Sequence, residues 1–129
     1  MQSLCLRGKV SSGKSEGTEF IKLQWVKKQI EENLGFTPYL GTLNIRLTRG
    51  DVKLKKSLTD TEGIEILPAA GFCRGKLFKA CLMGSVECAV VVPEVADYPK
   101  DVIEVIASEN LRRKLHLADG DLVDLEITL

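Results

Sequence analysis

The chain has 129 residues, enough for one domain with its own hydrophobic core, and 44% of them are apolar. Eighteen basic and 18 acidic side chains give a formal net charge of zero, which argues against a protein that binds a long nucleic-acid backbone. The sequence contains neither a long apolar run nor a signal-peptide pattern. We therefore expect a single cytoplasmic domain over residues 1–129, without a membrane partner.

The first half of the chain changes its periodicity twice. Residues 4–10 alternate apolar and polar side chains, which predicts a strand with one buried face. Residues 11–17 are rich in Gly and Ser and predict a loop. From Thr18, the expected N-cap, apolar side chains recur every three to four positions until Gly35, as in an amphipathic helix that ends at a glycine. Residues 42–47 alternate again and predict a second strand.

The second half of the chain consists mostly of predicted strands. Residues 48–63 are polar, so we expect a loop in which the lysine-rich stretch 53–56 is solvated. Short runs of Val, Ile, Leu and Phe, separated by Gly and Pro, then predict antiparallel strands as far as residue 107. A short helix is expected at 109–117, and a closing strand after the turn at 119–121. Many short strands with only two helices favour a mainly β barrel over a parallel sheet with crossover helices.

The cysteines and the single histidine do not form a metal-binding pattern. Cys5, Cys73, Cys81 and Cys88 are widely spaced, and no two of them form a C-x-x-C pair. We therefore expect reduced, mostly buried thiols rather than a zinc site. His116 is expected at the surface, near the end of the short helix.

Two segments in the first half contain residues that suit phosphate or metal binding. Residues 8–17 combine several glycines and serines with Lys14, so backbone N–H groups and an ammonium could hold a phosphate. The spacing is not that of a Walker A loop, and a plain surface turn is the alternative. Thr42 and Asn44 share one face of a strand, so their oxygens could converge on magnesium or could simply face solvent.

A third segment places a carboxylate in an apolar environment. Glu104 lies within the apolar run 102–107, where a buried carboxylate without a partner would be costly. It therefore lies either on a wet outer face or against a ligand that offers a hydroxyl or N–H group. The short helix that follows could offer N–H groups and arginine side chains to a nucleotide.

Taken in order, these segments resemble the archaeal CTP-dependent riboflavin kinase family. The resemblance covers nearly the whole chain from Gly8 onward and is most specific in G-F-T-P-Y-L-G-T-L-N, at residues 35–44. It implies a small closed six-stranded cradle-loop β-barrel with one main amphipathic helix and a short C-terminal helix. It also implies transfer of the γ-phosphoryl group of CTP to riboflavin, which gives CDP and FMN with magnesium as cofactor. The implied ligands are thus riboflavin or FMN and CTP or CDP, without nucleic acid.

The resemblance assigns roles to particular positions. Magnesium would be bound by Thr42 and Asn44. Glu104 would contact the flavin and orient or deprotonate its hydroxyl group, which makes it the candidate catalytic residue. A second flavin contact falls at Ala96. The implied nucleotide-binding residues are Gly13, Lys14, Ser15, Glu16, Gly17 and Thr18 on one side, and Glu109, Asn110, Leu111, Arg112, Arg113 and Lys114 on the other.

The chain departs from the family pattern at two of these positions. Ser15 stands where the family usually has glycine, which costs about 1 kcal/mol if the backbone there has φ > 0, unless its hydroxyl adds a donor. Ala96 stands where the family tends to have threonine, so one flavin hydrogen bond worth about 0.5–1.5 kcal/mol is missing. A flavin- or nucleotide-binding barrel without turnover is therefore the alternative function. A DNA-binding barrel is a further alternative, which the neutral charge disfavours.

Overall fold

A computed structural model describes residues 3–12, 21–67, 74–94 and 99–129. Seven strands and three helices lie wholly within these residues. None of the helices in this part of the chain has the length and apolar character that a membrane span requires. In chain order the elements are β1 (Ser3–Ser11), α1 (Gln24–Leu34), β2 (Leu43–Leu47), α2 (Arg49–Asp60), β3 (Ile64–Ile66), β4 (Gly75–Leu82), β5 (Val86–Pro93), β6 (Val102–Ile106), α3 (Leu111–Leu115) and β7 (Leu122–Thr128).

The strands form one antiparallel sheet that closes on itself. Six strands are neighbours in the order β4-β5-β6-β2-β1-β7, and β7 pairs back to β4 through residues 125–127 and 80–82. The short strand β3 pairs with the remaining part of the same β4 edge, at residues 75–77. The predicted six-stranded closed barrel is confirmed, and β3 is a seventh strand that covers the end of one edge.

Alternate side chains of the strands fill the barrel interior. β1 and β2 approach closely at Gly8, where an added Cβ would collide with the carbonyl oxygen of Arg46. Only glycine fits there without displacing a neighbouring strand. The strands predicted from alternation are confirmed, because their apolar positions point inward. The buried interior includes Leu6, Ile45, Phe78, Val90, Val105 and Leu125.

Helix α1 covers part of the outer wall of the barrel. Val26 and Ile30 are fully buried in a second apolar cluster, which also contains residues of β3, β4, β5 and β6. The helix ends at Gly35, whose φ of 78° is left-handed, as the sequence predicted. It begins at Gln24, and the expected N-cap Thr18 lies outside the described residues.

The prediction of a loop over residues 48–63 is wrong, because Arg49–Asp60 form helix α2. The helix has a narrow apolar stripe, in which Leu58 is buried and Val52 packs against the barrel core. The third aliphatic residue, Leu54, is exposed, and two inward-facing aliphatic positions in twelve residues are too few to stand out as helical periodicity. The T-x-x-D spacing at its start was an available indication of a helix N-terminus.

The lysine-rich part of this helix is only partly solvated. Lys53 and Lys56 are exposed as expected, but Lys55 is only 9% exposed. Lys55 is spaced three residues from both Val52 and Leu58, so its aliphatic stem continues their stripe toward the barrel. The expectation of a solvated stretch is therefore wrong for Lys55.

The described cysteines differ in exposure. Cys88 is buried, Cys81 is half-buried and Cys5 is exposed, so the expectation of mostly buried thiols fails for Cys5. All three are free thiols, and burial raises the pKa of Cys88 to about 12. Cys73 lies outside the described residues. His116 is exposed at the end of α3, as predicted.

Candidate functional site

Two of the predicted ligand segments lie side by side on the outer wall of the barrel. Asn44 of β2 is paired with Ser11 of β1 on one side and with Glu104 of β6 on the other. Thr42 precedes Asn44 by two positions and therefore shares its face. The register thus brings the predicted magnesium ligands, the predicted flavin residue and the end of β1 into one row, and the glycine-rich segment continues from that end of β1.

The side-chain oxygens of this row are in contact. Thr42 Oγ1 donates a hydrogen bond to Glu104 Oε1 at 2.7 Å, and it lies 3.4 Å from Asn44 Oδ1. Glu104 is 1% exposed and Asn44 is 8% exposed. On its other side Glu104 is paired with Val91, a member of the apolar cluster under α1. A wet outer face for Glu104 is therefore excluded.

Lys55, which the sequence did not single out, lies close enough to influence this carboxylate. Its Nζ donates to the carbonyl oxygens of Pro99 and Val102 at 2.9 and 2.7 Å. Burial lowers the pKa of Lys55 to about 8, and the negative charges of Asp101 and Glu104 oppose that shift. The Glu104 carboxylate therefore favours the charged form of Lys55. Lys55 also ties helix α2 to the chain that enters β6.

Thr42 and Asn44 fit magnesium in donor type and spacing. Magnesium prefers oxygen ligands in octahedral geometry at about 2.0–2.1 Å, which places adjacent ligands about 3 Å apart. The 3.4 Å between Thr42 Oγ1 and Asn44 Oδ1 is close to that spacing. Two protein ligands suit a cation that usually keeps several waters and binds nucleotide phosphates. Within the described ranges, His, Cys, Asp and Glu form no group of three that offers another metal site.

The second predicted nucleotide segment meets Thr42 in a pocket of about 120 Å³. Residues 39–43 form one wall, and residues 105–112 form the other. This volume is below the roughly 300–1,000 Å³ of sites that enclose a drug-sized ligand, so it would hold only part of a nucleotide. The predicted nucleotide residues that line it are Glu109, Asn110, Leu111 and Arg112.

Asn110 organises the mouth of this pocket. Its Oδ1 accepts a hydrogen bond from the backbone N–H of Arg113 at 3.2 Å, which caps helix α3. Its Nδ2 lies 3.3 Å from the hydroxyl oxygen of Tyr39 and donates to it. Tyr39 is 46% exposed and was not among the predicted site residues, although an exposed aromatic side chain beside a pocket is well placed to contact a ligand. Leu111 is buried and anchors the helix.

Arg112 connects the pocket to the end of β1. Its Nη2 donates to the carbonyl oxygen of Ser11 and to Ser12 Oγ, both at 3.0 Å, and to Asp119 Oδ1 at 2.6 Å. The Ser12 hydroxyl also lies 2.9 Å from Asp119 Oδ1. The guanidinium thus joins helix α3, the turn before β7 and the start of the glycine-rich segment.

This geometry can be compared with known proteins. The family model CTP-dep_RFKase, described as Domain of unknown function DUF120, matches residues 10–127. The chain belongs to the CTP-dependent riboflavin kinase family. The resemblance inferred from the motifs is confirmed.

Relatives of the family come from several archaea. The chain is 46% identical to the riboflavin kinase of Pyrobaculum aerophilum over 98% of its own length and 62% of that protein. It is 38% identical to the riboflavin kinase of Archaeoglobus fulgidus over 96% of its length and 54% of that protein. For the riboflavin kinase of Methanospirillum hungatei the identity is 39%, over 99% and 59%. The chain therefore spans less than two thirds of the length of these relatives.

The remaining residues that the family pattern implies lie apart from the pocket or outside the described ranges. Lys114 forms an exposed ion pair with Glu109 at 2.6 Å, and Arg113 is exposed. Seven predicted site residues lie outside the described residues, and their roles stay predictions. They are the nucleotide residues Gly13, Lys14, Ser15, Glu16, Gly17 and Thr18 and the second flavin residue, Ala96.

Two larger open cavities, of about 640 and 590 Å³, are lined by none of the residues to which the resemblance assigns a binding or catalytic role. The first lies beside the exposed ion pair of Arg7 and Asp124. The second lies between the end of α1 and residues of β4, β5 and β7. Volume alone does not identify a site. We place the candidate site at the smaller pocket, because four of the predicted nucleotide residues line it together with Thr42, whose side chain contacts the buried Asn44 and Glu104.

Proposed function

We propose that this chain phosphorylates riboflavin in the reaction CTP + riboflavin = CDP + FMN, with magnesium as cofactor. The proposal rests above all on the contact between Thr42, Asn44 and Glu104 in a chain of the CTP-dependent riboflavin kinase family. The relatives described above are riboflavin kinases. Buried polar side chains grouped beside a pocket are typical of a site that binds polar or charged ligands.

In this proposal, residues on either side of the row hold the nucleotide. Arg112 and its neighbours from 109 to 114 contact it from one side, and residues 13–18 contact it from the other. Thr42 and Asn44 supply the oxygen ligands for magnesium. When bound, that cation would neutralise charge on the phosphates and bring them into line with the acceptor. Phosphoryl transfer of this kind depends mainly on positioning and electrostatics, so it needs no covalent intermediate on the protein.

Glu104 would act on the flavin hydroxyl. The hydroxyl oxygen forms the new bond to the γ-phosphorus, the bond from that phosphorus to the bridging oxygen breaks, and CDP leaves with the electron pair. The Glu104 carboxylate orients the hydroxyl and can accept its proton as the new bond forms. The hydrogen bond from Thr42 holds Oε1 in place. Since Glu104 is only 1% exposed, neighbouring side chains must move aside when the flavin binds.

The direct test is formation of FMN by the purified protein with CTP and magnesium, with ATP in a parallel reaction. We expect FMN with CTP, its loss on chelation with EDTA, and a clear preference for CTP over ATP. A pocket that hydrogen-bonds the pyrimidine edge leaves buried groups unpaired when the wrong base binds. Tight binding of riboflavin and CDP without FMN formation would instead establish a binding module. Equal use of ATP would contradict the assignment of the donor.

A further inference from the structure

The network around Asp119 lies beside the candidate site and has no role in the chemistry described so far. Asp119 accepts a hydrogen bond from Arg112 at 2.6 Å and contacts the Ser12 hydroxyl through both carboxylate oxygens, at 2.9 and 3.0 Å. These three residues come from the end of β1, from helix α3 and from the turn before β7. A single carboxylate therefore connects two segments that are more than 100 residues apart in sequence.

The turn that carries Asp119 is itself fixed to the barrel. The N–H of Val10 donates to the carbonyl oxygen of Asp121, and the N–H of Gly120 donates to the carbonyl oxygen of Val10, both at 2.8 Å. The Asp121 carboxylate accepts from the N–H of Ala118 at 2.8 Å and closes the turn. Asp119 is thus held against the end of β1 by backbone hydrogen bonds that do not depend on its own side chain.

The guanidinium of Arg112 has N–H donors other than those that bond to Asp119, Ser11 and Ser12. All its hydrogen bonds to described residues are made by Nη2, which leaves Nε and Nη1 without such bonds in this part of the chain. The same side chain lines the pocket beside Thr42. A guanidinium anchored by one nitrogen keeps a fixed plane, so its other donors have a defined direction. Hydrogen bonds from Arg112 and Ser12 also lower the pKa of Asp119, which keeps the carboxylate ionised at neutral pH.

We propose that Asp119 is a positioning residue for nucleotide binding. It holds Arg112 and Ser12 at a fixed separation, so that the remaining guanidinium donors are arranged for the phosphates before the nucleotide arrives. This inference rests on the proposed function and extends it to a residue to which the family resemblance assigns no role. Preorganisation of this kind lowers the cost of binding without adding a contact.

The test is calorimetric titration of CDP into the wild type and into Asp119→Asn, together with nucleotide and riboflavin kinetics. Asn keeps the size of the side chain but loses the charge that orients Arg112. We expect the CDP dissociation constant and the KM for CTP to rise about fivefold or more, which corresponds to about 1 kcal/mol. The KM for riboflavin and the melting temperature should stay close to the wild-type values. Asp119→Glu, which restores the carboxylate, should recover most of the CDP affinity.

Asp124→Asn is a matched control for this variant. Asp124 forms an ion pair with Arg7 at 2.7 Å with 60% of its side chain exposed, compared with 2.6 Å and 59% for Asp119 with Arg112. Exposed pairs of this kind contribute little to stability. The control should therefore leave CDP binding unchanged. A similar loss of affinity in both variants would show a general effect of charge and would overturn the inference.

Ser12→Ala provides a second, independent variant of the same network. If Asp119 acts by holding Ser12 and Arg112, the effects of Ser12→Ala and Asp119→Asn on CDP affinity should be less than additive in the double variant. Wild-type affinity in Asp119→Asn would overturn this inference alone. A parallel fall of CDP affinity, riboflavin affinity and melting temperature would make Asp119 merely structural and would also overturn it. A wild-type protein that binds no CDP would overturn the proposed function as well.

Discussion

The outer wall of the barrel has two adjacent buried regions, one lined by apolar side chains and the other by polar ones. Under helix α1 the wall is apolar, and Ile30, Ala89, Val91 and Ile106 belong to one buried cluster there. Two residues before Ile106 on β6, the same wall carries Glu104, which with Thr42 and Asn44 makes up the polar region. The two regions meet in a single row of the sheet, where Glu104 lies between Val91 of β5 and Asn44 of β2.

This difference separates what stabilises the barrel from what is available for binding. Burying aliphatic side chains is favourable by about 25 cal/mol per Å². The stability that this burial provides is enough to explain the apolar region under α1. Burying a carboxylate is unfavourable unless hydrogen bonds and a counter-charge offset the cost, and an apolar residue of similar volume is often as stable. A chain selected only for stability would extend the apolar region from Ile106 to position 104. The proposed function accounts for the polar residues Glu104, Asn44 and Thr42 at this place.

The largest effect is expected for Ile30→Ala, in the apolar region. Ile30 is fully buried, and removing its side chain leaves a cavity under α1 that should cost about 2–5 kcal/mol in the free energy of unfolding. Urea denaturation measures this loss, and the exposed Glu32→Ala on the same helix is the control. At temperatures where the variant is folded, FMN formation per folded molecule should stay near wild type. A large loss of turnover without a loss of stability would contradict the division into two regions.

The second effect concerns Glu104→Gln, in the polar region. Glutamine keeps the volume and can still accept the hydrogen bond from Thr42, but it lacks the charge and the basicity. We expect the turnover number to fall on the order of 100-fold, while the unfolding free energy changes by about 1 kcal/mol or less. Riboflavin affinity, followed by its fluorescence, should fall and CDP affinity should not. Unchanged turnover and unchanged riboflavin binding would remove Glu104 from the mechanism, and a large loss of stability would make it a structural carboxylate.

A smaller effect is expected for Thr42→Ala and for Asn44→Ala. Each variant removes one of two proposed oxygen ligands and should raise the magnesium concentration needed for half-maximal turnover by about tenfold or more. High magnesium should restore part of the rate, which a simple folding defect would not allow. Thr48→Ala, at an exposed threonine just after β2, is the control. Wild-type rates at limiting magnesium in both site variants would refute the metal assignment.

Much of the fold could be predicted because its strands alternate so regularly. β7 alternates buried and exposed residues without exception, and β1 does so from Cys5 to Val10. Helix α2 could not be predicted in the same way. Its inner face is made by two aliphatic residues and the stem of a lysine, and a lysine does not register as apolar in any hydrophobic pattern.

The residues of the candidate site also differ in whether the sequence could predict them. Thr42, Asn44 and Glu104 were singled out as candidates because polar residues in strands have a definite face, and the family resemblance assigned their roles. The register of β2 with β6 brings them together. Lys55 and Asp119 were missed. Their roles depend on contacts between segments that are distant in sequence, as Lys55 shows with the carbonyl oxygen of Val102. Side-chain periodicity within one segment carries no information about such contacts.

The smallest predicted effect tests whether the ammonium group of Lys55 is buried beside the polar region and therefore titrates below its ordinary pKa. Its folded pKa of about 8 is below the ordinary value of 10.5, so between these values the unfolded chain binds more protons than the folded one. This contribution to stability therefore increases as the pH rises from about 8 towards 10.5. Between about pH 7.5 and pH 9 it should amount to roughly 1 kcal/mol.

Lys55→Met keeps the aliphatic stem but removes the titrating group, so this rise should be absent in the variant. Urea denaturation at both pH values gives the change of unfolding free energy with pH for the wild type and for the variant. The difference between these two slopes cancels the contribution of other groups that titrate in the same range. Lys56→Met, at an exposed neighbour on the same helix, should retain the wild-type slope. Equal slopes in wild type and Lys55→Met would mean that Lys55 is as well solvated as Lys56. The positive charge beside Glu104 would then be as mobile as any surface charge and would not help to hold the carboxylate.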